Sequence, residues 1–163
     1  MLAEKTARKR AGKPEVTIKD NYAGRRSTFQ LSEEDVAALI TCEIKLEIEL
    51  CRPIGAGLAL LEKARHEGGR VVFISDMYLP GWALRAILVR SGCWKEGDRL
   101  YVSCDAGKTK HIGEMFRHVL ESESILASQM VHRDTRNEKG ERRTYLFDLR
   151  HDPKWRLPIP QPL

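Results

Sequence analysis

Residues 71–74, Val-Val-Phe-Ile, constrain the fold of this chain more than any other stretch. This nearly continuous run of β-branched and aromatic residues is typical of a strand that is buried on both faces of a parallel sheet. Ser75 and Asp76 follow directly, Pro80 can open the next helix, and Gly92 can close it. We therefore expect a buried strand followed by a crossover helix.

The same alternation continues further along the chain. Residues 100–102, Leu-Tyr-Val, predict a second strand, and residues 129–132 predict a third. Between them, residues 110–121 repeat apolar side chains at three- and four-residue spacing, as an amphipathic helix does. Strands that alternate with helices over short links are typical of a parallel sheet with right-handed crossovers. The predicted fold class is therefore α/β, with helices flanking a parallel sheet.

The N-terminal third of the chain predicts helices. Residues 24–31 are expected to form a loop, after which Ser32 stands three residues before Asp35 and can open a capping box. Residues 44–50 alternate with period two, as a strand would, but their Glu, Lys and Leu content and the upstream cap favour helix. A second helix is predicted over residues 54–66.

The net charge of +5 is concentrated at the two ends of the chain. Residues 1–26 hold eight Lys/Arg and three Asp/Glu, whereas residues 27–132 hold twelve and fifteen. No aromatic residue interleaves with the cations of residues 1–13, which favours a solvated helix over an arm that binds RNA. Nucleic acid is therefore not an expected partner.

Further features predict where the protein resides and how it is divided. No apolar run reaches the roughly 18 to 20 residues of a membrane span, so we expect no membrane association and a cytoplasmic protein. We expect a helical segment over 1–52, an α/β core over 53–134 and a charged, Pro-rich tail over 135–163. The tail is predicted to be peripheral or partly disordered.

The first residues after each predicted strand are the candidates for a binding site, because ligands of open parallel sheets bind beyond the carboxyl ends of the strands. Ser75 can donate to a phosphoryl oxygen, Lys110 can neutralise its charge, and Asp134 can help to hold Mg²⁺. Two alternatives remain open. Ser75 can simply cap the following turn, and Lys108 competes with Lys110 as the phosphate ligand.

These residues stand in segments that resemble a known family. Residues 73–80 read Phe-Ile-Ser-Asp-Met-Tyr-Leu-Pro, residues 101–103 read Tyr-Val-Ser, and residues 107–110 read Gly-Lys-Thr-Lys, followed by Gly113-x-x-Phe116. Together they closely resemble a branch of the haloacid-dehalogenase-like hydrolases. The resemblance is specific over about residues 70–132 and looser over residues 1–69.

The resemblance implies a Rossmann-like sheet and Mg²⁺-dependent hydrolysis of phosphomonoesters through an aspartyl-phosphate. Ser75 matches the phosphate-binding hydroxyl of the family's second motif, and Lys110 matches the lysine of the third. Residues 1–50 look like the helical cap that is inserted between the first and second motifs. The implied ligand is a phosphorylated small molecule, with Mg²⁺ as the cofactor.

The chain also departs from the family's pattern. No D-x-D-x-[TV] segment follows a hydrophobic strand before residue 70, so the motif with the aspartate nucleophile is missing and the chain is expected to begin inside the cap. The fourth motif normally reads Gly-Asp, whereas Asp134 here follows Arg133 and is a displaced match.

Because positioning alone does not replace a carboxylate nucleophile, we expect weak or no phosphatase activity from this chain alone. The alternative is a non-catalytic module that uses the cap helices and a sheet edge to bind a protein partner or a second copy.

Overall fold

The computed structural model describes residues 12, 15–110, 113–136 and 142–149. Three helices precede the sheet: α1 (Ile18–Phe29), α2 (Glu33–Leu50) and α3 (Gly55–His66). The helices predicted from Ser32 and over residues 54–66 are confirmed, and the period-two stretch within α2 is helical. The helix predicted over residues 1–13 lies outside the described residues, apart from Gly12.

Reciprocal side-chain caps open α1 and α2. The Thr17 backbone N–H donates to Asp20 Oδ2 at 2.9 Å, and the Asp20 N–H donates to Thr17 Oγ1 at 3.2 Å. Ser32 and Asp35 form the same pair of bonds at the start of α2, as predicted. The loop predicted over residues 24–31 is wrong, because the cap at Thr17 starts a helix that continues through Gly24 to Phe29.

The second half of the chain alternates strands and helices. Strand β1 (Arg70–Ser75) leads into helix α4 (Gly81–Arg90), and strand β2 (Arg99–Val102) leads into the short helix α5 (Ser103–Ala106). Strands β1 and β2 are parallel neighbours, which confirms a parallel pair with a crossover helix. Helix α6 (Glu114–Glu123) follows, and a 3₁₀ turn then leads into the next strand.

Two further strands make the sheet mixed instead of wholly parallel. Strands β3 (Met130–Arg136) and β4 (Arg142–Leu149) complete the order β2-β1-β4-β3. Strand β4 is antiparallel to both of its neighbours. The predictions of a purely parallel sheet and of a peripheral tail are therefore wrong for residues 142–149. These residues pair with backbone N–H and C=O groups of β1 that would otherwise lie at an open edge.

The core lies on both faces of β1, as its apolar sequence predicts. Val72 and Ile74 pack against α6, whereas Val71 and Phe73 pack against Leu61 of α3. A third cluster joins the N-terminal helices to α4 and β2, and its buried members are Ile18, Ile44, Leu79, Ala83, Leu84 and Val102. The N-terminal helices are thereby packed onto the α/β part, close to the carboxyl ends of β1 and β2.

None of the helices that the structure describes is both long enough and apolar enough to cross a membrane. The longest of them, α2, has 18 residues. It carries six carboxylate side chains and Lys45.

Candidate functional site

Two serine residues lie at the carboxyl edge of the parallel pair. Ser75 is the last residue of β1 and pairs with Val102, the last residue of β2. Ser103 follows Val102 directly and starts α5. Because neighbouring strands lie about 5 Å apart, the register brings Ser75 and Ser103 to adjacent positions at one edge of the sheet.

Both hydroxyl groups are buried and lack a hydrogen-bond partner. Ser75 is 3% exposed and Ser103 is 0% exposed. Among the residues that the structure describes, neither Oγ atom has a hydrogen-bond partner. Leaving a buried hydroxyl unpaired costs about 1–3 kcal/mol, so these two groups are unfavourable for packing alone. A ligand with acceptor oxygens would satisfy both of them.

Lys110 reaches the same edge from the segment that follows α5. Gly107 ends α5 with a left-handed backbone conformation (φ 63°), which suits a residue without a Cβ. Three residues later, Lys110 is only 8% exposed. Its backbone N–H donates to Asp76 Oδ1 at 3.3 Å, and its Nζ lies 4.0 Å from Asp76 Oδ2. Asp76 therefore fixes the lysine directly beside the end of β1, whereas Lys108 is half-buried.

The segment that carries Ser103 is held in place by its neighbours. The Gly81 N–H, at the start of α4, donates to Asp105 Oδ2 at 2.8 Å. The Cys104 thiol donates to the Leu79 carbonyl at 3.2 Å. A Cβ atom at position 81 would stand 2.6 Å from Asp105 Oδ2, so glycine permits this close approach. These contacts fix Ser103 next to the loop that connects β1 to α4.

Cys104 is not an activated nucleophile. Burial, and after it the adjacent Asp105 carboxylate, raise the pKa of its thiol to about 12. The thiolate form, which is the reactive one, is therefore scarce at neutral pH.

Asp134 lies near the same end of the sheet as Ser75 but two strands away. Both Asp134 and Ile74 pair with Tyr145 of β4, and β3 runs in the same direction as β1. Two strand spacings place the Asp134 backbone about 10 Å from that of Ile74, at nearly the level of Ser75. Ser75 and Lys110 are thus brought together by the fold, while β4 separates Asp134 from them. The side chain of Asp134 lies outside the described residues.

The side chains that the structure describes do not form a magnesium site. Within this part of the chain, no three His, Cys, Asp or Glu side chains come together as metal ligands. Asp76 is the carboxylate beside Ser75, and the positive charge of Lys110 competes with a divalent cation for it. We therefore assign no chemical step to a metal ion.

Ser103 directly follows a predicted strand and Asp76 directly follows Ser75, but the sequence alone assigned no role to either residue. The available signal was positional. Both residues directly follow or adjoin the last residue of a buried strand, where side chains converge in parallel sheets. Burial without a partner, which singles out Ser103, is visible only in the folded chain.

The assembled edge thus offers two hydroxyl donors and one ammonium group within a buried setting. Such a set is suited to binding an oxyanion, because each group can donate to a negatively charged oxygen. Comparison with known protein families gave no match, and comparison with curated proteins gave none either.

Proposed function

We propose that this chain is a haloacid-dehalogenase-like module that binds a phosphoryl group at the carboxyl edge of β1 and β2. The observation that carries the proposal is the pair of buried, unpartnered hydroxyl groups of Ser75 and Ser103 beside the buried Lys110. The ligand would be a phosphorylated small molecule, with Ser75 and Lys110 as phosphate ligands.

Phosphate suits this edge better than a carboxylate does. A phosphoryl group presents three acceptor oxygens, and the edge presents three donor side chains, those of Ser75, Ser103 and Lys110. Hydrogen bonds to a charged oxygen contribute about 1.5–3 kcal/mol each, enough to offset the two unpaired hydroxyl groups. Asp76 has two opposing effects on phosphate binding. Its negative charge repels the ligand, whereas the hydrogen bond that it accepts from the Lys110 backbone N–H positions the lysine.

Turnover by this chain alone would be very weak or absent. The sequence has no D-x-D-x-[TV] segment before residue 70, and covalent catalysis needs a nucleophile that supplies the reaction path. Cys104 is a poor substitute, because burial raises the pKa of its thiol to about 12. Magnesium, and Asp134 as its ligand, remain predictions of the family resemblance alone.

Phosphorus NMR of inorganic phosphate titrated with the protein tests the proposal. We expect Ser75→Ala and Lys110→Ala each to weaken phosphate binding by about ten- to a hundredfold, as the loss of one charge-assisted hydrogen bond implies. Lys108→Ala and Ser91→Ala serve as controls, and the latter removes a hydroxyl that already donates to the Leu88 carbonyl. Equal affinity in all five proteins would contradict the proposed site.

The second candidate function is a non-catalytic assembly module. Strand β1 is paired on both sides, so its edges are closed to a partner strand. The N-terminal helices favour this candidate more, because α2 leaves three leucine side chains exposed.

A further inference from the structure

The outer side of α2 carries an apolar stripe. Leu39, Leu46 and Leu50 are 41%, 46% and 68% exposed. Their spacing of seven and four residues keeps all three on one side of a helix with 3.6 residues per turn. With Tyr22 of α1 and Cys42, they line a groove of about 460 Å³.

Acidic side chains border this groove. Glu43 and Glu47 complete its lining. The hydroxyl groups of Tyr22 and Tyr78 donate to Glu43 Oε2 and Oε1 at 2.6 and 2.8 Å, which holds that carboxylate in place. Helix α2 as a whole has six acidic residues and one basic residue, Lys45. Glu43 falls within the leucine stripe of α2 and Glu47 falls beside it, so the groove is lined by both apolar and acidic side chains.

We propose that this groove binds a basic amphipathic helix of a partner protein. The distance from Leu39 to Leu50 along the axis is about 16 Å, or three helical turns. A partner helix with leucine-sized side chains at i, i+4, i+7 and i+11 would cover the stripe, and flanking Lys or Arg side chains would face Glu43 and Glu47. Helix-in-groove recognition of this kind combines apolar burial with complementary charge.

Charge and composition disfavour two other occupants. A second copy would bring its own acidic α2 against this one, and like charges facing each other across an interface are unfavourable. The basic N-terminal residues 1–13 match the charge, but Met1 and Leu2 are their only large apolar side chains. They cannot supply three spaced anchors for Leu39, Leu46 and Leu50.

Fluorescence anisotropy with labelled synthetic helices tests this inference. The probe is a peptide of about 16 residues with Leu at i, i+4, i+7 and i+11 and Lys between them, which spans the stripe. The controls are a scrambled peptide of the same composition and a peptide in which Glu replaces Lys. The proteins are the full chain and its Leu46→Gln, Glu47→Lys and Leu126→Gln variants, of which the last changes a leucine that is 69% exposed on another surface.

We expect the Leu/Lys peptide to bind the full chain and to lose at least tenfold in affinity with Leu46→Gln and with Glu47→Lys. Leu126→Gln should leave its affinity unchanged, and Glu47→Lys should gain affinity for the Glu-containing peptide. No binding, equal binding of the scrambled peptide or equal loss in Leu126→Gln would overturn the proposal. A concentration-dependent dimer that Leu46→Gln abolishes would overturn it as well, since the occupant would then be a second copy.

Discussion

Ser75 and Ser103 each bury a hydroxyl group without a protein partner in the described structure, and this has a consequence for stability. In phosphate-free buffer, Ser75→Ala and Ser103→Ala should leave the free energy of unfolding unchanged or raise it by about 1 kcal/mol, because each removes an unsatisfied polar group. Urea denaturation measures this. Ser91→Ala is the matched control and should lose stability, since it breaks a 3.1 Å hydrogen bond. Destabilisation by both site variants would mean that their hydroxyl groups have structural partners.

The Glu43 side chain connects three parts of the chain: α1, α2 and the loop after β1. It accepts hydrogen bonds from Tyr22 on α1 and from Tyr78 in the loop after β1. Glu43→Ala should lower the free energy of unfolding by about 2–3 kcal/mol, because two hydroxyl groups lose a charged acceptor. Glu49→Ala, which removes an exposed carboxylate from the same helix, should change it little. Equal effects of the two substitutions in urea denaturation would contradict this role.

The tyrosine that faces Glu43 also gives the fold a dependence on alkaline pH. Burial and the hydrogen bond to Glu43 raise the pKa of Tyr22 from 10.0 to about 12. Since the folded state favours the protonated hydroxyl, its contribution is complete below pH 10 and is lost as the pH rises towards 12. The ultraviolet absorbance of phenolate should show one late-titrating tyrosine fewer in Tyr22→Phe. A titration identical to that of the wild type would contradict the shift.

Helix α4 depends on a cap that comes from another element. Its N-cap residue, Pro80, provides no side-chain cap, and Asp105 of α5 accepts a hydrogen bond from the Gly81 N–H instead. Asp105→Ala should cost about 1 kcal/mol, similar to the loss of a local cap. Ser32→Ala, which removes the cap of α2, provides the scale for comparison. Chemical denaturation of both variants checks this, and an unchanged Asp105→Ala protein would show that α4 needs no such cap.

Local chemistry made some elements predictable and left others hidden. Ser32 and Asp35 mark the start of α2 because a capping box is formed by residues three apart. Thr17 and Asp20 form the same kind of capping box at the start of α1. Gly24 and the polar residues after it favoured a loop prediction, so this helix was not predicted. Asp105 could not be recognised as a cap, because it lies 24 residues from Gly81 and acts only through the fold.

Strand β4 sets the architecture of the whole sheet. It lies between β1 and β3 and pairs antiparallel with both of them. Its sequence has only a short apolar patch among charges, so the chain's own pattern does not identify β1 as its partner. Strand pairing across 70 or so residues is a tertiary contact that local periodicity does not encode.

A proline in β4 tests its place in the sheet. Leu146 pairs with Phe73, and Leu146→Pro would remove a backbone donor between two paired strands. We expect loss of cooperative thermal unfolding and concentration-dependent association, because both neighbours lose a partner strand. Leu146→Thr, which keeps the N–H and a high β propensity, should remain cooperative. Calorimetry measures the cooperativity of unfolding of the two variants, and sedimentation measures their association. A proline variant that unfolds cooperatively and stays monomeric would contradict the position of β4 between β1 and β3.

The candidate site was only partly predictable for a related reason. Ser75 and Lys110 follow from strand ends and motif resemblance, and the fold places Lys110 against Asp76 beside Ser75. The position of Asp134 depends on β4, which stands between β1 and β3. The sequence pattern does not predict that β4 lies between β1 and β3, so it does not predict that Asp134 is two strands away from Ser75.

The most direct measurement of the central claim is phosphorus NMR of a phosphomonoester mixed with the full chain, with and without Mg²⁺. We predict a saturable shift of the ester resonance, which Ser75→Ala and Lys110→Ala move to about ten- to a hundredfold higher concentrations, with little or no release of inorganic phosphate. Mg²⁺-dependent release of inorganic phosphate that disappears in both variants would contradict the account, because such turnover requires a nucleophile and the proposal assigns none to this chain. Absence of any shift of the ester resonance would contradict the proposed phosphate site itself.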